Sequence, residues 1–356
     1  MAQSLTFAYP GDLDTLTGGY LYDKRIIQAL IEQGWTVEPL SLGKGFPWPS
    51  ASVAKLAIER LAKTPSGNLL IIDGLALGAL GTHAQALSKK HPYIALVHHP
   101  LARESGLSHD QAQLLYNSET IALKQAIGVI VTSQTTAQTL IEDYGVNADQ
   151  LFVIIPGIDR PALPAKPIET SSRSLRLLSV GAIVPRKGFD VLVRALHAVA
   201  DRDWTLTIVG DPTRSLETTA ALKSQIAALD LSERIELAGA VSGDNLADHF
   251  QTADAFVLAS HYEGYGMAYA EALAWGLPII GTTGGAVRQT VPPDAGILVT
   301  PGEVAPLVDA LKQLIDDADT RSALIRAAQQ HGQQLPTWQA SGLAFGQALT
   351  QIASQQ

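Results

Sequence analysis

Two glutamates, Glu263 and Glu271, stand eight positions apart in the stretch AFVLASHYEGYGMAYAEALAWGLPIIG, residues 255–281. One falls in a polar loop, Ser260 to Gly266, and the other in a helical run, Met267 to Trp275. A strand feeding a glycine-rich loop and then a helix leaves backbone N–H groups free at the helix N-terminus, a ready anion site. Gly264 and Gly266 carry no Cβ, so that backbone can approach a ligand closely. A second cationic signal lies upstream, where Arg186 and Lys187 leave another strand just before Gly188. Arg offers phosphate oxygens a planar fork and Lys a compact point charge. With helix N-termini, the pair would stabilise a departing diphosphate without a metal; a solvated Arg-Lys turn is the plainer alternative.

The first half holds a looser set. His98 and His99 leave a strand, Tyr93 to Val97, and are followed by Pro100. In open α/β sheets ligands bind beyond the carboxyl ends of strands, so these imidazoles stand where chemistry happens. Successive residues leaving a strand point to opposite faces, so only one of them can face a site squarely. Arg103 and Glu104 follow, to touch an acceptor or to pair with each other at the surface. Gly18 and Gly19 precede a helix, Lys24 to Gln33, and either offer N–H groups to a phosphate or form a simple turn. Asp12 and Asp14 read as solvated loop. No histidine or carboxylate cluster has ligand spacing, so no metal site and no cofactor are expected.

The elements that must position these residues alternate strand and helix twice over. Leu5 to Tyr9, Asn68 to Asp73, Tyr93 to Val97, Val129 to Thr132 and Phe152 to Ile155 read as strands. Val53 to Ala62, Ala84 to Lys90, Ser118 to Ile127 and Thr135 to Tyr144 read as the helices after the first. This pattern predicts a mostly parallel sheet with helices on both faces. Proline-rich, polar PALPAKPIETSS reads as a linker. The alternation restarts at Leu175 and runs to a last core helix at Val304 to Asp316. The tail from Trp338 has a helical apolar pattern beyond the second domain. The expected division is 1–160, a linker at 161–172, a second domain at 173–335 and a terminal helix at 336–356.

Composition narrows the class. With 356 residues, 46% hydrophobic and 17% charged, there is material for two cores and little case for disorder. Cysteine is absent, which removes thiol catalysis and disulfides and fits a reducing cytoplasm. The formal net charge of −9 argues against nucleic acid as a partner. MAQSLTFAYPGD is no signal peptide, and no apolar run reaches the ~20 residues of a membrane span. The expectation is a soluble cytoplasmic protein, with peripheral membrane contact left open and oligomeric state unread.

The phrase EGYG…AEALAWGLPII, with VGAIVPRKGFDVL, TTGGAVRQTV and AGILVTPGEVAPLVDAL, resembles family four of the retaining GT-B glycosyltransferases in order and spacing over residues 178–312. The GG loop and LVHHP match more loosely. The resemblance implies an α/β fold of two Rossmann-like domains facing across a cleft, the C-terminal helix crossing back to the first. It implies that Arg186 and Lys187 hold the nucleotide diphosphate and that Gly18 or Gly19 meets it from the other domain. Glu271 would bind the ribose hydroxyls. Glu263, in a donor loop with Gly264 and Tyr265, would address the donor sugar together with the N–H groups of Gly266 and Met267. His98 matches the family's active-site histidine, and His99, Arg103 and Glu104 would serve the acceptor. Two positions depart from the pattern: Ala182 stands after Gly181 where many relatives have Arg, and Arg288 where Glu is frequent.

The function implied is a metal-independent, retaining transfer of a hexosyl group from a UDP- or GDP-linked sugar to a hydroxyl acceptor, a saccharide, glycolipid or small metabolite. A sugar-nucleotide epimerase of the same fold and a non-catalytic nucleotide-sugar-binding protein are the alternatives. No G-x-G-x-x-G follows either first strand, which disfavours a nicotinamide dehydrogenase.

Overall fold

The computed structural model describes residues 4–65, 67–161, 174–241 and 243–355. The chain divides into two compact units, one comprising Met1–Gly157 with Pro336–Gln356 and the other Ile158–Leu335. Apart from Pro161, the expected linker lies outside the described residues.

The first unit is built on β1 (Ser4–Tyr9), α1 (Gly18–Glu32), β2 (Thr36–Ser41), α2 (Ala51–Leu61), β3 (Leu69–Asp73), α3 (Gly74–Ser88), β4 (Ile94–Val97), α4 (His109–Leu123), β5 (Gly128–Val131), α5 (Gln134–Glu142) and β6 (Leu151–Val153). Its strands are all parallel, in the order β2-β1-β3-β4-β5-β6. Strands covered on both faces must be apolar throughout, and β4, IALV, is buried at every position. The chain runs outward from β1 to β2 and returns to β3 on the other side. The sheet's switch point therefore falls between β1 and β3, with β4 next in line. The C-terminal helix (Trp338–Ser354) belongs to this unit and packs along α1, Phe345, Leu349 and Ile352 being fully buried.

Several elements differ from the sequence expectation. α1 begins at Gly18 rather than Lys24, so the glycine pair forms its first turn instead of the loop before it. Glycine is a poor helix former, but burial of Tyr22, Asp23 and Ile26 on one face holds that turn. α3 begins at Gly74, ten residues earlier than expected: GLALGAL is apolar all round and shows no helical contrast. α4 begins at His109, behind a Ser108–Gln111 capping box, where the helix was expected from Ser118. β2 was not foreseen, because an edge strand holding Pro39 and exposed Thr36 shows no apolar run.

The second unit repeats the plan with β7 (Leu175–Val180), α6 (Phe189–His197), β8 (Trp204–Val209), α7 (Leu216–Ala228), β9 (Ile235–Gly239), α8 (Asp244–Thr252), β10 (Ala255–Val257), α9 (Met267–Ala274), β11 (Ile279–Thr282), α10 (Val287–Thr290), β12 (Gly296–Val299), α11 (Val304–Asp316) and α12 (Ala318–Gly332). Strand order is β12-β11-β10-β7-β8-β9, again parallel, with the switch point between β7 and β10. α12 follows the helix expected to be last; its Leu324 and Ala328 join the core. Both units are therefore parallel six-stranded α/β sheets, the architecture expected from the alternation of strand and helix.

Candidate functional site

At the switch point of the second unit, the turn after β7 meets the loop after β10. Pro185–Lys187 forms one tight 3-10 turn, ended by Gly188 in the left-handed region at φ 62°. A Cβ at 188 would lie 2.0 Å from the carbonyl oxygen of Ala259, so only glycine lets this turn press on the strand exit of β10. His261 N–H donates to the Arg186 carbonyl at 2.8 Å, stitching the two segments together.

The side chains then close on Glu263. Lys187 Nζ donates to its Oε1 at 2.7 Å, Ser260 Oγ to the same oxygen at 2.6 Å, and Arg186 Nη1 to its Oε2 at 3.2 Å. Arg186 Nη1 also donates to the Tyr262 carbonyl at 2.7 Å. Glu263 is 6% exposed. Burial alone would raise its pKa, but Lys187 and Arg186 overcome that and hold the carboxyl down to about 2. Backbone bonds to the Gly284–Ala286 segment fix the loop: Glu263 N–H donates to Gly284, and Ala286 N–H to Glu263.

Gly266, at φ 94°, is the N-cap of α9, and no side chain caps that first turn. One turn further, Glu271 is half-buried, with its pKa raised to about 7 by burial and by Asp159, against the opposing pull of Lys187. Tyr265 packs with Ile158 and Ala270, and Met267 lies against that cluster. Arg288 is exposed on α10.

The first unit assembles a different set at its own switch point. β1 leads to α1, β3 ends at Asp73 and β4 exits into His98, and these strands are adjacent. His98 Nε2 lies 3.1 Å from Asp23 Oδ1 on α1 and 3.2 Å from Asp73 Oδ2. The two carboxylates are buried, and Asp73 also caps α3 by accepting the Leu75 N–H at 2.8 Å. Tyr22 stands edge-on to the imidazole at 5.3 Å between centroids, its hydroxyl donating to the Ile154 carbonyl. Desolvation opposes charge on His98, yet the carboxylates raise its pKa to about 10, making it an imidazolium at neutral pH.

The sequence thus brought Arg186, Lys187 and Glu263 forward as a set, and the fold joins them in one hydrogen-bonded cluster. Among the other named residues, His99 Nε2 pairs with Glu104 Oε2 at 3.2 Å. Arg103 does not pair with Glu104 but with Asp143 on the segment after α5, at 2.8 Å. Asp14 pairs with Lys24 on an exposed loop. Asp23 and Asp73 were missed. Both had a signal: Asp73 is an acid closing a buried strand, and Asp23 is a lone acid on the apolar face of α1. This gathering was not foreseen, because sequence spacing cannot register three residues 50 and 25 positions apart. Their ligand atoms lie within 4.8 Å of one another, near enough to share an ion, although hydrogen bonds already account for the spacing.

Residues 165–331 match the family model described as Glycosyl transferases group 1, and residues 39–160 match Glycosyltransferase Family 4. The MMP alpha-(1->4)-mannosyltransferase of Mycolicibacterium hassiacum is 29% identical over 67% of this chain and 60% of its own length. The mannosylfructose-phosphate synthase of Agrobacterium fabrum is 29% identical over 49% of this chain and 41% of its own. The chain therefore spans about three fifths or less of these curated relatives. Among solved structures, sucrose-phosphate synthase of Thermosynechococcus elongatus superposes with TM-score 0.81 at 21% identity, covering 99% of this chain and 100% of that one. HepE of Anabaena in complex with UDP and glucose gives 0.74 at 19% identity, over 98% and 100%. At such identities the structures establish the fold.

Proposed function

The chain belongs to glycosyltransferase family four, and we propose that it transfers a hexosyl group from a UDP- or GDP-linked sugar to a hydroxyl acceptor, with retention and without a metal. The acceptor class is a saccharide, a glycolipid or a small metabolite. The observation that carries this reading is the Arg186–Lys187–Glu263 cluster at the switch point of the second unit.

Two preorganised cations at a strand exit offer what a departing nucleoside diphosphate needs as the glycosidic bond breaks. Glu271, on the same helix as the uncapped N-terminus, is the candidate partner of the ribose hydroxyls. Glu263 is a poor covalent nucleophile: both oxygens accept strong donors and its charge is tied to Lys187 and Arg186. A same-face displacement, in which the leaving phosphate takes the acceptor's proton, fits such a site better than a glycosyl-enzyme. The hexosyl and UDP assignments draw support from relatives named for mannosyl transfer and from a structural neighbour that binds UDP and glucose.

A thermal-shift screen of nucleotide sugars tests the donor, since a ligand of the folded state raises its apparent stability. Turnover of the best donor with and without candidate acceptors tests the reaction. Release of nucleoside diphosphate only with acceptor supports transfer; rearrangement without one makes it an epimerase, and binding without turnover makes it a binding protein. Activity that survives EDTA supports metal independence, whereas loss restored by Mn²⁺ or Mg²⁺ overturns it.

A further inference from the structure

The Asp23–Asp73–His98 cluster carries more than the family resemblance asks of a histidine. The geometry points to Asp23 as a positioning residue: together with Asp73 it pins the Nε2 edge of His98, so that the imidazole serves as a fixed, charged donor and never as a proton acceptor. This inference rests on the transferase reading for its catalytic consequence, but not for its chemistry.

Nε2 has one hydrogen, and two carboxylate oxygens approach it at 3.1 and 3.2 Å. Both carboxylates are within 5% exposure, so neither charge is relieved by water. An acceptor at Nε2 would face two oxygens that are themselves acceptors; a donor satisfies both. Protonated Nε2 leaves Nδ1 as the only nitrogen that can vary, and two adjacent anions favour a proton there as well. The ring is thereby held as imidazolium.

The holding is rigid because each anion is anchored from a different element. Asp73 is tied down through its other oxygen by the Leu75 N–H at the start of α3. Asp23 rides on α1, four residues after Gly19, on the face that meets His98. Thr132 Oγ1, just past β5, donates to the His98 carbonyl at 3.1 Å and fixes the backbone below the ring. Tyr22 closes the side of the ring edge-on. Among the described residues, the titratable groups facing the imidazole are Asp23 and Tyr22 from α1 and Asp73 from the end of β3.

One detail separates the two acids. Asp23 Oδ2 is buried and has no hydrogen-bond partner, whereas both oxygens of Asp73 are engaged. Two buried carboxylates beside one imidazolium leave a net negative charge, and a proton on Asp23 Oδ2 removes it. In keeping with this, burial and Asp73 raise the pKa of Asp23 to about 7. The cluster is then neutral below that pH and singly negative above it, while His98 stays charged throughout.

The test reads the ring directly and needs no substrate. Long-range ¹H–¹⁵N spectra of the full chain should show both His98 nitrogens protonated at pH 8. In Asp23→Ala the ring should titrate lower, toward the ordinary range near 6.5. Asp23→Asn keeps an acceptor of the same shape and serves where the alanine variant fails to fold. With one anion left, its ring should also titrate lower than in the wild type, and any step near pH 7 in the kcat profile should disappear; an unchanged ring titration overturns the inference here too. Asp23→Ala should lower kcat on the order of tenfold or more with the donor KM within a few-fold. A neutral His98 ring at pH 8 in the wild-type protein overturns the inference. So does an Asp23→Ala variant with unchanged ring titration. A charged ring in a protein that transfers no sugar keeps the inference and sinks the transferase reading instead.

Discussion

Lys187 Nζ lies 2.7 Å from Glu263 Oε1, so the cation assigned to the diphosphate and the carboxylate assigned to the sugar form one largely buried ion pair. The pair has a consequence for substitution. Removing Lys187 does not merely delete a phosphate contact; it leaves Glu263 with Arg186 as its remaining charged partner. Breaking a buried pair on one side costs about 3–5 kcal/mol, far more than a surface bridge.

Lys187→Ala is therefore expected to lose on the order of 10²–10³ in kcat, and also to melt earlier than wild type. Glu263→Gln should do the opposite to product affinity, because it leaves two cations uncompensated: isothermal titration should find the nucleoside diphosphate bound more tightly while sugar transfer falls. Equal, near-normal turnover in both variants would reduce the cluster to a structural tie.

Glu271 supplies a pH dependence with a definite sign. Its pKa in the folded chain is raised to about 7, above the ordinary carboxylate value, by burial first and by Asp159 second. Its ionisation consequently costs stability, a cost absent below the unfolded pKa and fully present above about pH 7. A carboxylate that accepts ribose hydroxyls binds best when charged, so donor affinity should climb as pH rises from 6 to 8. Glu271→Gln should flatten that rise and lower affinity at pH 8. A wild-type titration with no slope over this interval would remove Glu271 from the donor site.

Gly19 separates a packing role from a ligand role. A Cβ there would come no closer than 3.4 Å to the His98 ring, an ordinary contact, and the residue already sits in the first turn of α1. Gly19→Ala should accordingly fold and gain about 0.5–1 kcal/mol in stability, readable as a higher Tm. If a phosphate approaches this turn, the same variant should bind the nucleotide sugar at least several-fold more weakly. Unchanged binding alongside a higher Tm would leave the glycine with no ligand to serve.

The two histidines should divide along their partners. His98→Ala removes the one cation from between two buried acids and should reduce kcat steeply while nucleotide affinity stays within a few-fold. His99, paired with Glu104 near the surface, should affect acceptor KM or stability when replaced by Ala. The reverse pattern in steady-state kinetics would reassign the two residues.

What the sequence determined by itself was local and periodic. The apolar runs at Tyr93–Val97 and Leu277–Gly281 read as buried strands because a strand covered on both faces favours apolar side chains, and β12 was legible to the residue as a short apolar run although it lies half-buried at the sheet's edge. The Arg186–Lys187 and Glu263 segments were legible as a set because each is a short polar exit from such a strand. Tertiary structure decided the rest. Only the strand order, with β1, β3 and β4 adjacent, could bring Asp23, Asp73 and His98 to one point, and no spacing in the chain encodes that adjacency. The first half of α3 was hidden for a related reason: residues 74–81 are apolar and almost wholly buried, so no polar stripe reveals their period. Whether a glutamate at 263 would stand as a free reactant or as the counter-ion of two cations was likewise outside the sequence. It depends on the backbone of Gly188 passing against Ala259, which sets Lys187 and Arg186 over a loop more than seventy residues away.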